Sequence, residues 1–537
     1  MKKLVARFMA VLMAMTMILS MSMTAFAAEA PKGTLTVNNT VAGKTLDLYQ
    51  IFTATKNGDN VAYTLNSAYD GFFKTKVENG SSLSGEALSE AAYNYVKTQV
   101  GPDGSNGAAF AKEIMGWILE NTATVESTHT TATTTAGSTV INNLDYGYYV
   151  VYPLGATDTS TAPGNETVKS VASLVSVTAA NATVNMKSNY PTVVKKVNNK
   201  DADDVNIGDE VTYTLTSKVP DMTGYTSYVF NFKDTLSKGL TFKGITSVTV
   251  GSGKNVQNVT EGTGDNTYTL TQDGQNITIT MNNFLASNAN KEGQEIKVTY
   301  TATLNKDAVT GFDANKNSAT VEYSNKPGTD NKSESEPSIV NVHTFNFTIF
   351  KYYLKDETKT GLANAEFELY KANEAGDAAD TNAKINIVKV KDGEYRQATP
   401  EEAAAEGFKS DVIVSGTDGK VLVKGLDAGT YYLRETKAPE GYNKLLSDIK
   451  VEIKANYDET TGKLTSYSVD YTYNGTTTTG TAITNKDNSP EVAVENKTGA
   501  QLPSTGSKGA LMVTLAGIVL FGALTASKAF GKKKAKN

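Results

Sequence analysis

Two lysines, two asparagines and two acids stand where polar side chains are not expected. Side chains alternate across a β-strand, so residues of one parity share a face. In FNFTIFKYYL the apolar face is Phe345, Phe347 and Ile349, and Lys351 falls on it. In EVAVENK, Val492 and Val494 share a face with Asn496, and in TYYLRET, Tyr431 and Leu433 share one with Glu435. The pattern recurs upstream. Lys195 lies between Val193 and Val197 in PTVVKKV, Asp234 follows Phe230 and Phe232 in FNFKDTL, and Asn317 precedes Ala319 and Val321 in NSATVEY. Each set runs lysine, acid, asparagine along the chain. This reading puts each lysine on the first strand of its domain and each asparagine on the last.

A buried lysine is costly unless it is paired. One such set reads as a buried lysine–carboxylate bridge beside a hydrogen-bonded asparagine. Two sets in the same order favour a reaction. An apolar core lowers a lysine pKa and raises that of a carboxyl. A neutral amine can then attack the asparagine amide while a protonated acid polarises its carbonyl and shuttles the proton. Ammonia leaves and an isopeptide bond remains, and proximity replaces an enzyme. The expected bonds are Lys195–Asn317, promoted by Asp234, and Lys351–Asn496, promoted by Glu435. Lys196 and Asn485 are the competing assignments, Lys196 on the opposite face and Asn485 in a more turn-like stretch.

The elements that must hold these residues are strands. Residues 189–340 and 341–500 alternate apolar and polar at period two between turn residues, which predicts two tandem β-sandwiches of Ig-like type. PGTDNKSESEPS, residues 327–338, reads as the linker between them. Residues 28–188 open and close with strand-like stretches around two helical segments, SGEALSEAAYNYVKTQV and AAFAKEIMGWILEN, with Ser84 as a cap before the first. The fold class is mainly β, with an N-terminal domain carrying two helices.

The ends address the chain elsewhere. Lys2, Lys3 and Arg7 precede an apolar run and small residues at Ala25 and Ala27, the layout of a secretory signal cut between Ala27 and Ala28. At the other end QLPSTG is followed by an apolar run from Gly509 to Phe530, just long enough to cross a bilayer, and by Lys532–Lys533–Lys534. Residues 501–537 thus read as a stop-transfer tail, which an ordinary membrane anchor would explain equally well. The exported chain has no cysteine. A bond closing a loop of about 120 residues would contribute ~4–5 kcal/mol if it acts like a disulfide.

Other chemistry is not indicated. The net charge of −6, with signs interspersed, does not invite nucleic acid. His129 and His343 are the only histidines and lie far apart, and no metal cluster or cofactor motif appears. DADDVNIGDE, residues 201–210, reads as a solvated turn.

Leu502, Pro503, Ser504, Thr505 and Gly506 resemble the LPxTG sorting signal of Gram-positive surface proteins, with the apolar span and basic tail in the expected order. YYLRETKAPEGY resembles the E-box of Gram-positive major pilins, GLANAEFELY the start of their collagen-binding-protein-B-like repeats, and DTLSKGLTF with NSATVEYSN their isopeptide-forming middle domain. The resemblance covers essentially the whole chain. It implies that a pilin-class sortase cuts between Thr505 and Gly506 and passes Thr505 to an amine. That amine belongs either to cell-wall peptidoglycan or to a lysine of another copy. In NATVNMKSNYPTVVKKV, Lys187 stands eight residues before Lys195, where pilins carry a linking lysine in a YPK-type motif. Here Met186 replaces the proline and Asn185 the aromatic. The implied protein is the backbone subunit of a surface pilus, joined to copies of itself and to minor pilins and supporting adhesion. A wall-anchored monomeric adhesin and a minor base or tip pilin are the other readings.

Overall fold

The computed structural model describes residues 32–499 apart from 103, 105, 132, 158–170, 187 and 188. Two compact units result. One comprises the chain to Thr344 with Tyr457–Leu464, and the other Phe345–Asn456 with the chain from Thr465. Strands dominate both.

The first unit begins with a sandwich. Gly137–Asp145, Lys32–Thr40 and Asn181–Asn185 form one sheet, and Asn60–Leu65, Leu46–Asn57, Gly147–Pro153 and Ser173–Val177 the main path of the other. Leu35, Val37, Leu48, Ile141 and Val151 fill the space between them. The far side of the second sheet is covered by helices, so Leu46–Phe52 is buried on both faces, Asp47 and Gln50 included, and shows no clean apolar–polar alternation. Three helices lie there, not two: Gly85–Val100, Gly107–Glu120 and the short Asp70–Lys76. The short one spans under two turns, too few for a helical period to show. It is fixed by Phe72 and Phe73, packed edge to face at 5.0 Å. Ser84 occupies the N-cap position of Gly85–Val100 without a side-chain capping bond.

A second sandwich follows in the same unit. Val194–Val197 is the edge of a sheet that continues through Glu210–Lys218, Glu295–Leu304 and Leu240–Val250. The facing sheet runs Ala202–Asp204, Ser338–His343, Asn315–Ser324, Phe230–Leu236, Asn276–Met281 and onward. Tyr213, Leu215, Phe230, Phe232, Val298, Tyr300 and Val321 are in its core. Three sequence expectations change here. Residues 327–338 are not simply a linker, because Lys332–Glu334 pairs with the end of Asn315–Ser324. Asn317 is not on the last strand, since Ser338–His343 follows and pairs back onto it, Val340 opposite Asn317. Within 201–210, Ala202–Asp204 is a short strand pairing in parallel with Ser338–His343. Charged strands at a sheet edge carry little apolar signal, and so read as turn or linker.

The second unit is another sandwich. Phe345–Lys355 lies between Lys420–Leu426, antiparallel, and Glu491–Glu495, parallel. The facing sheet contains Glu366–Ala372, Gly429–Lys437 and Ile449–Tyr457 as neighbours.

Candidate functional site

In the middle sandwich, Lys195 comes from one sheet, and Asp234 and Asn317 from the other. The Lys195 strand is short but held twice: Lys195 pairs with Leu215, and its backbone N–H donates to Ser338 Oγ at 2.9 Å. Phe230–Leu236 and Asn315–Ser324 are direct neighbours, with Leu236 opposite Asn317 and Asp234 opposite Ala319. That register puts the acid and the amide two residues apart on one inward face. The Lys195 and Asp234 side chains are fully buried, and Lys195 Nζ donates to Asp234 Oδ2.

A fourth group joins them. Tyr300, on Glu295–Leu304 of the lysine's own sheet, accepts from Lys195 Nζ at 2.8 Å and from Asn317 Nδ2 at 2.7 Å, and donates to Asp234 Oδ2 at 2.8 Å. Its ring stacks on Tyr213 at 5.1 Å, and Lys195 Nζ lies 4.9 Å and 5.1 Å from the two ring centres. Burial lowers the Lys195 pKa, opposed by the Asp234 charge. Burial, reinforced by Asp234, raises the Tyr300 hydroxyl well above its usual value, so it keeps its proton. Asp234 Oδ1 and Asn317 Oδ1 are buried without a hydrogen-bond partner. Tyr300 was legible in EIKVTYTATL, where it shares parity with Ile296, Val298 and Ala302. A tyrosine among core residues carries no signal that its hydroxyl meets a lysine and an amide, so the sequence reading passes over it.

The last sandwich brings the same residue types together by another route. Lys351 and Asn496 are neighbours in one sheet. Lys351 pairs with Val494 in parallel, and just past the end of that strand Asn496 N–H donates to Tyr352 O at 2.9 Å. Glu435 reaches in from the facing sheet. Its Oε1 is 3.0 Å from Lys351 Nζ, with both side chains fully buried. This is an ion-pair distance without hydrogen-bond geometry, so Lys351 Nζ, Glu435 Oε1 and Asn496 Oδ1 all lack a hydrogen-bond partner. Asn496 Nδ2 donates to Glu435 Oε2 at 3.2 Å and to Asn443 O at 2.7 Å, and Leu445 N–H donates to Glu435 Oε2 at 2.7 Å. Burial lowers the Lys351 pKa to about 8, opposed by Glu435 and then Glu495. Gly419 lets the turn beside the lysine strand come close. It holds φ +79°, and a Cβ there would lie 2.2 Å from the Lys351 carbonyl oxygen.

A buried pair of this kind does not stabilise a fold cheaply. Desolvation of both charges offsets much of their attraction. Orphaned polar atoms beside each pair add to the cost. Both sites therefore hold an amine, a carboxyl and an amide together in a dry core at a thermodynamic disadvantage, and a neutral covalent product would relieve it.

The competing residues sit elsewhere. Lys196 is half-exposed and pairs with Asp201 at 2.5 Å, and Asn485 is exposed in a turn, accepting from Asp487 N–H at 3.1 Å. Lys187, the Ala27–Ala28 cleavage site and Leu502–Gly506 lie outside the described residues. Among the described residues no cluster of three or more His, Asp or Glu could hold a metal ion, and no helix is long and apolar enough to cross a membrane.

The described residues thus form tandem β-sandwiches, two of which bury a lysine, an acid and an amide together, and these domains can be compared with known proteins. Residues 207–327 match the family described as Gram-positive pilin backbone subunit 2, Cna-B-like domain, and residues 348–468 match the SpaA family, described as a prealbumin-like fold domain. The first match contains Asp234 and Asn317, and the second contains Lys351 and Glu435. The chain is 26% identical over 480 residues to the trypsin-resistant surface T6 protein of Streptococcus pyogenes serotype M6, covering 82% of this chain and 75% of that protein. Among solved structures, the T6 backbone pilin of serotype M6 Streptococcus pyogenes aligns with a TM-score of 0.45 at 16% identity, over 88% of this chain and all of that one. The group B streptococcus pilus 2b backbone protein aligns with a TM-score of 0.41 at 25% identity, over 58% and 99%. The chain therefore carries one domain of the Gram-positive pilin backbone type and one of the SpaA prealbumin-like type, and is similar along most of its length to the T6 protein.

Proposed function

We propose that this chain is the backbone subunit of a covalently polymerised surface pilus, strengthened by the bonds Lys195–Asn317 and Lys351–Asn496. The observation that carries this is the repeated burial of lysine, acid and asparagine in two sandwiches of different construction. In each, one proton moves from the ammonium to the carboxylate. The neutral amine adds to the amide carbon, the C–Nδ2 bond breaks, and ammonia leaves. Asp234 and Glu435 polarise the carbonyl and carry protons, so the chain is a structural protein that modifies itself and not a turnover enzyme.

In this reading the signal is removed after Ala27, and the tail holds the exported chain in the membrane. A pilin-class sortase then cuts between Thr505 and Gly506 and transfers Thr505 to Lys187 of the next copy. The last subunit is passed to peptidoglycan. Minor pilins cap or root the fibre, whose role is adhesion at the surface of a Gram-positive cell. The placement of Lys187 directly before the crosslinked middle sandwich supports its choice. A denaturing immunoblot of cell-wall digests tests the assembly. The expected result is a high-mass ladder in wild type that collapses to monomer in Lys187→Ala. A ladder in both moves the linkage to another lysine. A single band in wild type indicates a wall-anchored monomeric adhesin.

A further inference from the structure

The two sites differ in how a proton can reach the departing nitrogen. In the last sandwich Asn496 Nδ2 is bonded to the carboxyl itself, at 3.2 Å from Glu435 Oε2. In the middle sandwich the hydrogen bond from Asn317 Nδ2 goes to the Tyr300 hydroxyl, at 2.7 Å, and not to Asp234. The same hydroxyl touches the attacking amine at 2.8 Å and the acid at 2.8 Å. Among the described residues it is the one group that contacts nucleophile, acid and leaving nitrogen together.

We propose that Tyr300 is a catalytic residue of the middle-domain crosslink, acting as the proton relay between Lys195 and the amide nitrogen of Asn317. This rests on the isopeptide reading above. In the step, Lys195 Nζ bonds to Asn317 Cγ. In the tetrahedral adduct Nδ2 gains a lone pair, the Tyr300 hydroxyl turns its proton from Asp234 Oδ2 to Nδ2, and a proton from Nζ passes to Tyr300 Oη. The Cγ–Nδ2 bond then breaks and ammonia leaves. Tyr300 ends as it began, and Asp234 polarises the carbonyl and holds the tyrosine in place. The Tyr213 hydroxyl also faces the Asn317 side chain but makes no hydrogen bond of suitable geometry to it, and none to Lys195 or Asp234.

The test follows both bonds in the full chain made by cell-free synthesis, quenched in denaturant at intervals, digested and weighed as linked peptides. Tyr300→Phe keeps the buried ring and removes the relay. It is expected to slow Lys195–Asn317 by about tenfold or more, while Lys351–Asn496 forms at its wild-type rate and reports that synthesis and folding proceeded. Tyr213→Phe is expected to stay near the wild-type rate. Tyr300→3,5-difluorotyrosine keeps the hydroxyl and makes it more acidic, and is expected to speed the middle bond. The same rate in Tyr300→Phe and wild type, equal slowing by Tyr213→Phe, or no response to fluorination would each overturn the relay. A wild-type chain that forms Lys351–Asn496 but never Lys195–Asn317 would overturn it together with the crosslinking of the middle sandwich.

Discussion

At the scale of single residues, the acids carry both the proposed chemistry and the charge balance of the buried lysines. Asp234→Ala or Glu435→Ala leaves a buried lysine with no counter-charge, a change that typically costs about 3–5 kcal/mol. Each is expected to abolish its own bond and leave the other intact. Intact mass of the mature chain then shows one ammonia lost, about 17 Da, instead of two. Two lost from either variant would remove the acid from the mechanism. Lys351 supplies a pH signature in a chain that cannot crosslink. Uncrosslinked, the folded Lys351 amine is lowered to about 8 from the ordinary 10.5, and Asn496→Ala holds the chain in that uncrosslinked state. Between these values the unfolded chain binds the proton and the folded one does not, so stability rises with pH. The penalty is full below pH 8 and gone above about 10.5, worth roughly 3 kcal/mol. Urea melts of the Asn496→Ala chain between pH 7.5 and 10.5 should show that rise, and Lys351→Met should lack it. Parallel curves would mean that Lys351 is not desolvated as the structure has it.

At the scale of elements, strand parity made the six triad residues legible, because alternation in a half-buried strand is a strong and local pattern. Parity says which face a residue takes but not which sheet its strand joins. That is why the two constructions were not legible. Asp234 and Asn317 share a sheet opposite Lys195, whereas Lys351 and Asn496 share one opposite Glu435. Pairing between distant strands is set by the whole sandwich. Lys332–Glu334 and Ala202–Asp204 escaped for the complementary reason: edge strands rich in charge carry no alternation to read. Gly419 is the test at this scale. A methyl group there must displace the Lys351 carbonyl or the turn that faces it. Gly419→Ala is expected to shift the lysine strand, so that Lys351–Asn496 forms slowly or incompletely and Lys195–Asn317 forms as before. Linked-peptide yields from the two domains compare the effects within one molecule, and equal yields would show that the strand gives way without moving the amine.

At the scale of the whole chain, the two constructions have different mechanical consequences. Lys351 lies on the first strand of its sandwich and Asn496 just past the end of the last, and the two strands are parallel neighbours. With the proposed bond formed, tension entering at Phe345 would cross directly from Lys351 to Asn496, and residues 352–495 would carry none of it. The middle bond is not terminal. Tension that crosses from Lys195 to Asn317 must still run through Ser318–Thr344, which includes Lys332–Glu334 and Ser338–His343. That stretch is held by pairing with Phe230–Leu236, Asn315–Ser324 and Ala202–Asp204, by the Lys195 N–H bond to Ser338 Oγ and by the burial of Val340 and Val342, none of it covalent. Hydrogen bonds and packing can yield where a covalent bond cannot. The absence of cysteine allows clean handles: Lys187→Cys and Gly499→Cys define the proposed load path and can be pulled in a single-molecule experiment. With both bonds formed, the expected record is one release at the middle sandwich of roughly 90 Å, at ~3.4 Å per extended residue over Ser318–Thr344, and no comparable release from the last sandwich. Asn317→Ala should lengthen the middle release several-fold, because residues 196–317 then join it. A crosslinked chain that shows no intermediate release would mean that Ser338–His343, clamped between two neighbours, bears load as firmly as the bond itself.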